Sequence, residues 1–339
     1  MIISISSAGR GWGRSLTIDG LAGYSVNPQT TGPLRKSEAV GGTTVRVLLS
    51  RLIDYAGLFP PSGLDMLPAV VNYDSYLRSE DSWVLGRFVV VAGRLNEFDK
   101  ALGRVPVTEG KVWGLSVILG ADTEGDLGRI VEFNTQASGA RKGRRAVVES
   151  VELKAECPAD IVRMAGIIPR EFAAYFEIGL AGQERECIAA LANCGRRAKL
   201  RTGGETADKF PDAGRVIGFV GLCADAMVPF KATAGLHHPI RSMHRLTCEP
   251  DSPTGTMHGF LNLFLAAAFV KAGLEMDAAV ELLEEQSASA MQFDSEGVEW
   301  RAHRLSRQEI ATTRQDFSVS FGSCSFAEPI DEMRSLGLL

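Results

Sequence analysis

The rhythm of residues 44–339 limits the fold more than any other feature of the chain. Short β-branched or apolar runs alternate there with longer amphipathic ones. The strand-like runs lie within TVRVLLSRLIDYA (44–56), WVLGRFVVV (83–91), KVWGLSVILG (111–120), AVVESVELK (146–154), FAAYFEIG (172–179), RAKLRTG (197–203), PFKATAG (229–235) and FSVSFGS (317–323). The spacing predicts helices near 65–78, 94–102, 122–137, 158–166, 182–193, 210–226, 257–286 and 328–336. Pro158 with Asp160, and Pro211 with Asp212, put a proline and an acid where a first helical turn wants them. Strand followed by helix, repeated eight times, is the count of a (β/α)8 TIM barrel. A typical barrel takes about 250 residues, and the stretch 44–339 holds that plus a long insertion between strands seven and eight, over 236–316. An open doubly wound sheet gives the same local rhythm. The lack of GxGxxG after the first strand counts against its dinucleotide-binding form.

Residues 1–43 break the rhythm. They are rich in Gly, Ser and Thr without sustained periodicity and are expected to be a loosely ordered N-terminal extension, or to follow from a start site upstream of the true domain. The expected division is thus 1–43 as extension and 44–339 as catalytic barrel. The start lacks a long apolar core, so no signal peptide is expected. The most apolar run, FLNLFLAAAFV (260–270), is too short to span a bilayer and reads as a buried helix. A net charge of -5 argues against nucleic-acid binding, and the cluster Arg141-Lys142-Gly143-Arg144-Arg145 reads as a solvated loop. Six cysteines without a CxxC pair (Cys157, Cys187, Cys194, Cys223, Cys248 and Cys324) read as reduced thiols of a cytoplasmic protein.

Alternate residues of a barrel strand point inward, and chemistry gathers at the carboxyl ends of the strands. Period two applied to strands four to seven pairs Glu152 with Lys154, Tyr175 with Glu177, Lys199 with Arg201, and Lys231 with Thr233. The opposite phase is apolar: Val151, Leu153, Phe176, Leu200 and Phe230. Charged strand ends taken singly are often only the start of a loop. Four adjacent strands doing this together point to a shared polar mouth, because isolated buried charges would cost several kcal/mol each. Asp54 and Tyr55 end the first strand and could reach the same mouth.

A lysine amine is a nucleophile only when deprotonated, and burial or a nearby cation lowers its pKa. Lys199 and Lys231 on adjacent strands, with Arg201 alongside, could tune one another in this way, with Glu152 and Glu177 moving protons. The alternative for both lysines is ion pairing with Glu177 or Glu152.

Lys199-Leu200-Arg201-Thr202-Gly203-Gly204 and Phe230-Lys231-Ala232-Thr233-Ala234-Gly235 resemble the K-T-S-T-G and F-K-P-A-G-G motifs on strands six and seven of class I aldolases of the deoxyribose-phosphate aldolase type. The resemblance implies a Schiff-base lysine at Lys199, a tuning lysine at Lys231, and no cofactor. It is confined to these two strands and the helix between them. Arg201 stands where the family has a small residue, Leu236-His237-His238-Pro239 replaces its glycine-rich phosphate loop, and the seven-to-eight connection is longer. The chain as a whole resembles bacterial proteins of no assigned function.

Arg201, Thr202, Gly203 and Gly204 could hold an anion through a guanidinium and backbone N–H groups. Gly322, Ser323 and Ser325 offer a second anion-binding loop after strand eight. His237, His238, His244 and His258 cluster in the insertion, near Cys248. Without HxH or HExxH spacing they are expected to serve the substrate, His237 and His238 foremost, and not a metal. His258 opens the apolar helix with Asn262 one turn later, a packing arrangement. The expected activity is a Schiff-base-forming lyase or aldolase acting on a small anionic carbonyl compound. Two alternatives are a metal-assisted hydrolase or lyase using His237, His238 and Glu177, and a barrel that binds a small anionic ligand without catalysis. The expected partner is a small anionic substrate, with neither nucleic acid nor membrane, and a homo-oligomer is compatible with the sequence.

Overall fold

The computed structural model describes residues 42–106, 112–139, 145–247 and 251–339. The expected extension over 1–43 lies outside the described residues save for Gly42 and Thr43, as do 141–144 of the basic cluster and Cys248.

The chain opens with α1 (Gly42–Leu49). Part of the first expected strand is therefore helical. Val45, Leu48 and Leu49 recur at helical spacing and are buried. Burial of each is worth about 1.5–3 kcal/mol, more than the roughly 1 kcal/mol span of strand propensities that favours Thr and Val in a sheet. The strand proper, β1, is only Ile53–Tyr55. The rhythm then proceeds as expected through α2 (Met66–Arg78), β2 (Leu85–Val91), α3 (Leu95–Leu102), β3 (Trp113–Ile118), α4 (Thr123–Gly139), β4 (Ala146–Ala155), α5 (Pro158–Ile167), β5 (Ala173–Ile178), α6 (Glu184–Cys194), β6 (Arg197–Arg201), α7 (Ala213–Asp225) and β7 (Phe230–Thr233). Pro158 occupies the first turn of α5, and the Asp212 carboxylate caps α7 by accepting from the Arg215 N–H at 2.9 Å.

The insertion after β7 carries more structure than its periodicity predicts. A hairpin of β8 (Ser242–Arg245) and β9 (Thr254–Met257) precedes α8 (Phe260–Lys271) and α9 (Met276–Glu284). The insertion is expected to include two helical runs, and the helical stretch 257–286 is divided into α8 and α9 at Gly273, whose φ of +94° favours glycine. Three short antiparallel strands follow, β10 (Met291–Phe293), β11 (Gly297–Trp300) and β12 (His303–Ser306), and then α10 (Arg307–Asp316). A capping box between Ser306 and Glu309 starts α10. As expected, the apolar run is a buried helix: α8 is buried nearly all round, with Phe260 and Phe264 packed on Phe321. Among the described residues no helix is long and apolar enough to cross a membrane.

The chain closes with β13 (Ser318–Ser323) and α11 (Ala327–Ser335). The eight strands β1–β7 and β13 form a closed barrel in the order β1-β13-β7-β6-β5-β4-β3-β2, every pair parallel. This is the expected (β/α)8 TIM barrel. At one end the buried Arg314 guanidinium, on α10, donates to the carbonyls of Leu48, Ser50, Ser318 and Val319. It ties α1 to β13 and satisfies carbonyls that a helix end would leave bare.

Candidate functional site

Adjacent residues of a strand face opposite ways, and β1 shows this at once. Tyr55 faces outward, packed against Tyr73, Tyr76 and Phe88, and does not reach the mouth. Asp54 faces the interior and is fully buried. Register then fixes which charges meet. Lys154 pairs with Glu177, Glu177 with Lys199, and Lys199 with Lys231, so one rung around the barrel carries alternating signs until the two lysines meet. Glu152 lies one residue pair below Lys154 and reaches both lysines.

The result is one alternating chain of ionised groups. Lys231 Nζ donates to Asp54 Oδ2 and to Glu152 Oε1, each at 2.6 Å. Lys199 Nζ bridges Glu152 Oε2 and Glu177 Oε2, each at 2.9 Å. Arg201 Nε closes the series on Glu177 Oε1 at 2.9 Å. Hydroxyls and an amide satisfy the remaining lone pairs. Ser116 Oγ donates to Glu152 Oε1 at 2.6 Å and Ser320 Oγ to Asp54 Oδ2 at 2.8 Å. The Arg87 N–H donates to Asp54 Oδ1 at 2.7 Å. Buried charges persist when they are paired and hydrogen-bonded in this way.

Burial alone would raise the carboxylates, but the cations outweigh it. Asp54 is held below the usual range by Lys231 and Arg87, and Glu177 by Lys199 and Arg201. Glu152, between both lysines, is held far below it. Burial likewise works against a charged Lys231, yet Asp54 and Glu152 raise its pKa and keep it an ammonium.

The chain of charges opens into a cavity of about 1210 Å³ at the carboxyl ends of the strands. Glu152, Glu177, Lys199 and Lys231 line it, with Lys154, Arg201, Gly203, Gly204, Thr233 and His237 nearer the rim. Lys209 and Arg215 add positive charge, interleaved with Glu156, Glu205, Asp208 and Asp212. The first ten of these, all singled out from the sequence, therefore share one cavity with Gly322 of the second expected anion loop, whereas Tyr175, Thr202, His238 and Ser323 do not line it. Tyr175 shares the inward phase but sits one rung lower, 1% exposed, its hydroxyl accepting from Arg197 and its ring centroid 5.5 Å from Lys231 Nζ. Thr202 is buried and its hydroxyl donates to the Ala234 carbonyl at 2.6 Å, which ties the loop after β6 to the loop after β7. His238 turns to α11, where its Nδ1 lies 2.6 Å from Glu332 Oε1. Ser323 is buried, its hydroxyl accepting from the Ser325 N–H. The residues of the metal-assisted alternative are engaged separately, Glu177 by Lys199 and Arg201 and His238 by Glu332. His258 has the packing role expected of it, its Nε2 donating to the Pro211 carbonyl at 2.8 Å, and Asn262 bonds the carbonyls of Leu282 and Glu285.

The two glycine phrases have a steric reason. A Cβ on Gly203 would lie 2.7 Å from the Gly235 Cα, so the loops after β6 and β7 cross with no room for a side chain. Ala234 and Gly235 both have positive φ there, 63° and 71°.

Sequence reasoning missed Ser116, Ser320 and Cys324. Ser320 was legible, since Ser318, Ser320 and Gly322 share one phase of β13. Cys324 lies in the cavity wall with its Sγ 4.0 Å from His237 Nδ1. Burial works against a charged His237, but Cys324 and Glu328 outweigh it and raise its pKa to about 10. Comparison with known proteins finds no matching family model, no matching curated protein and no matching solved structure.

Proposed function

We propose that the protein is an enzyme that forms a Schiff base through Lys199 with a small anionic carbonyl compound, and so makes or breaks a carbon–carbon bond. One observation carries this reading: Lys199 Nζ lies in the cavity wall with a carboxylate 2.9 Å away on each side, and shares Glu152 with a second lysine. A nucleophile flanked by proton acceptors is the arrangement imine chemistry needs. Both lysines lie between two carboxylates, but Lys231 is the deeper, on pairs of 2.6 Å against 2.9 Å for Lys199, so the reading takes Lys231 as the fixed cation and Lys199 as the reacting amine. Lys154 and Arg201 at the strand ends supply positive charge for the anionic end of a substrate.

The steps balance on these groups. A carboxylate takes a proton from the Lys199 ammonium, and the amine adds to the carbonyl carbon. The carbinolamine hydroxyl is protonated and leaves as water. A carboxylate takes the proton of the hydroxyl on the β-carbon, the Cα–Cβ bond breaks so that this fragment leaves as an aldehyde, and the bonding electron pair passes into the iminium to leave an enamine. A carboxylic acid protonates the enamine carbon, and water then hydrolyses the iminium and frees Lys199.

A second reading rests on the same ion pairs. Each lysine is already matched by carboxylates, as in a barrel that binds a small anion through Lys154 and Arg201 without turnover. Borohydride reduction in the presence of short aldehydes, ketones and keto acids separates the two. The expected outcome is an adduct on Lys199 that is lost in Lys199→Met. Ligand-induced stabilisation with no trapped adduct would select the binding reading, and an adduct on Lys231 would reverse the two lysines.

A further inference from the structure

Beside the cavity, the connection after β7 meets the last helix in a cluster that the lysine network does not touch. His238 is buried and directs its Nδ1 at Glu332 Oε1, 2.6 Å away. Glu328 stands one turn earlier on the same face of α11, its Oε2 3.5 Å from His237 Nδ1. One donor atom each from His238, Glu328 and Glu332 fall within 4.8 Å of one another.

Two independent features single this cluster out. Carboxylates at i and i+4 of a helix repel one another. Among the described residues, Glu328 and Glu332 have no lysine or arginine as an ion-pair partner, and imidazoles alone face them. The His238 ring is also fixed in orientation. It stacks on His244 with centroids 3.3 Å apart and planes 7° from parallel, which holds its nitrogen toward the two acids. A ring locked by its neighbours is what a metal ligand needs.

We infer that His238, Glu328 and Glu332 are the protein ligands of a divalent transition-metal ion, zinc by preference, with water completing its coordination. An imidazole with two carboxylates is a borderline N/O donor set that suits zinc. It offers too few oxygens for calcium, which takes six to eight. Donor atoms of a tetrahedral zinc site stand about 3.4 Å apart. Glu332 therefore has to draw back from His238 by roughly 0.8 Å, a small side-chain movement for a residue on a helix surface. The inference does not rest on the lysine chemistry. None of the three ligands lines the cavity, but His237, next in sequence and beside Glu328, does. The ion thus clamps the β7–β8 connection to α11 and fixes the wall that carries His237, with no part in activating water at the lysines.

The test uses the untagged full-length chain, stripped by chelator and titrated calorimetrically with zinc, with cobalt as the optical probe. The expected result is one ion per chain with a dissociation constant of about 1 μM or tighter, together with cobalt d–d absorption. Glu332→Gln and His238→Ala should each weaken binding by about tenfold or more, and His303→Ala, outside the cluster, should leave it unchanged. Metal-free Glu332→Gln should melt where the metal-free wild type does and lose only the rise in melting temperature that zinc gives, so a folding defect would be visible. No binding by the wild type at about 0.1 mM zinc, or binding indifferent to both His238→Ala and Glu332→Gln, overturns the site.

Discussion

Glu177 takes two cations from the neighbouring strand, Lys199 on one oxygen and Arg201 on the other. Its carboxyl is held below the unfolded value near 4.3. A depressed carboxylate contributes stability above its unfolded pKa and loses it as pH falls through the folded pKa. The stability difference between wild type and Glu177→Gln should therefore be constant above about pH 5 and shrink steadily below about pH 4. Urea unfolding of both proteins at several pH values measures it, and a difference that persists undiminished at about pH 2 would refute the pairing. At this scale the sequence was informative wherever period two ran along a well-formed strand. Glu152, Glu177, Lys199, Arg201 and Lys231 met as their phase required. Tyr175 has the same phase as Glu177, but phase does not give depth, and one rung lower is the barrel interior. Asp54 could not be ranked above Tyr55, because a strand of three residues is too short to show its own alternation.

The loops after β6 and β7 act as one element. Thr202 ties them by hydrogen bond, and Gly203 and Gly235 let their backbones cross. A methyl at Gly203 has backbone and the Phe210 ring to displace, at a cost of about 1–3 kcal/mol. Gly203→Ala should lower stability by that amount and move Arg201 and Thr233, so ligand binding should weaken more than stability alone accounts for. Thermal melts with and without an anionic ligand would test this, and an unchanged melting temperature would count against the crossing. Thr-Gly-Gly was legible as a possible anion cradle, and Ala-Gly only as the end of the seventh strand. Their mutual contact was not, because a contact between two loops depends on strand register and leaves no spacing in either phrase. The insertion hid its strands for a related reason. β8 is Ser-Met-His-Arg and largely exposed, so it gains its pairing from β9 and shows no apolar alternation of its own. α10 was missed as well, since its sequence is mostly polar and its start is set by a cap.

In the whole molecule Lys231 sits where three parts of the barrel converge: Asp54 from β1, Glu152 from β4 and its own β7. Lys231→Met would leave two buried carboxylates without their shared cation. Breaking a buried pair by removing one partner costs about 3–5 kcal/mol. The loss should appear in global unfolding, with one cooperative transition moved to lower denaturant. Adding Asp54→Asn to Lys231→Met should recover part of it, since a charge left alone is worse than none. Urea titrations of the single and double variants measure this, and a single variant within about 1 kcal/mol of wild type would sink it.

The closing seam has a consequence for the order in which the molecule is built. Asp54 lies 177 residues before Lys231 and 266 before Ser320, and all three meet inside the barrel. Contacts of such sequence separation repay their loop-closure entropy last. A ribosome that has reached only α10 has already delivered both lysines, Glu152 and Glu177, yet the sheet beside β7 still lacks the strand that joins it to β1. The barrel therefore closes around Asp54 only after β13, the last of its strands in the chain, has emerged.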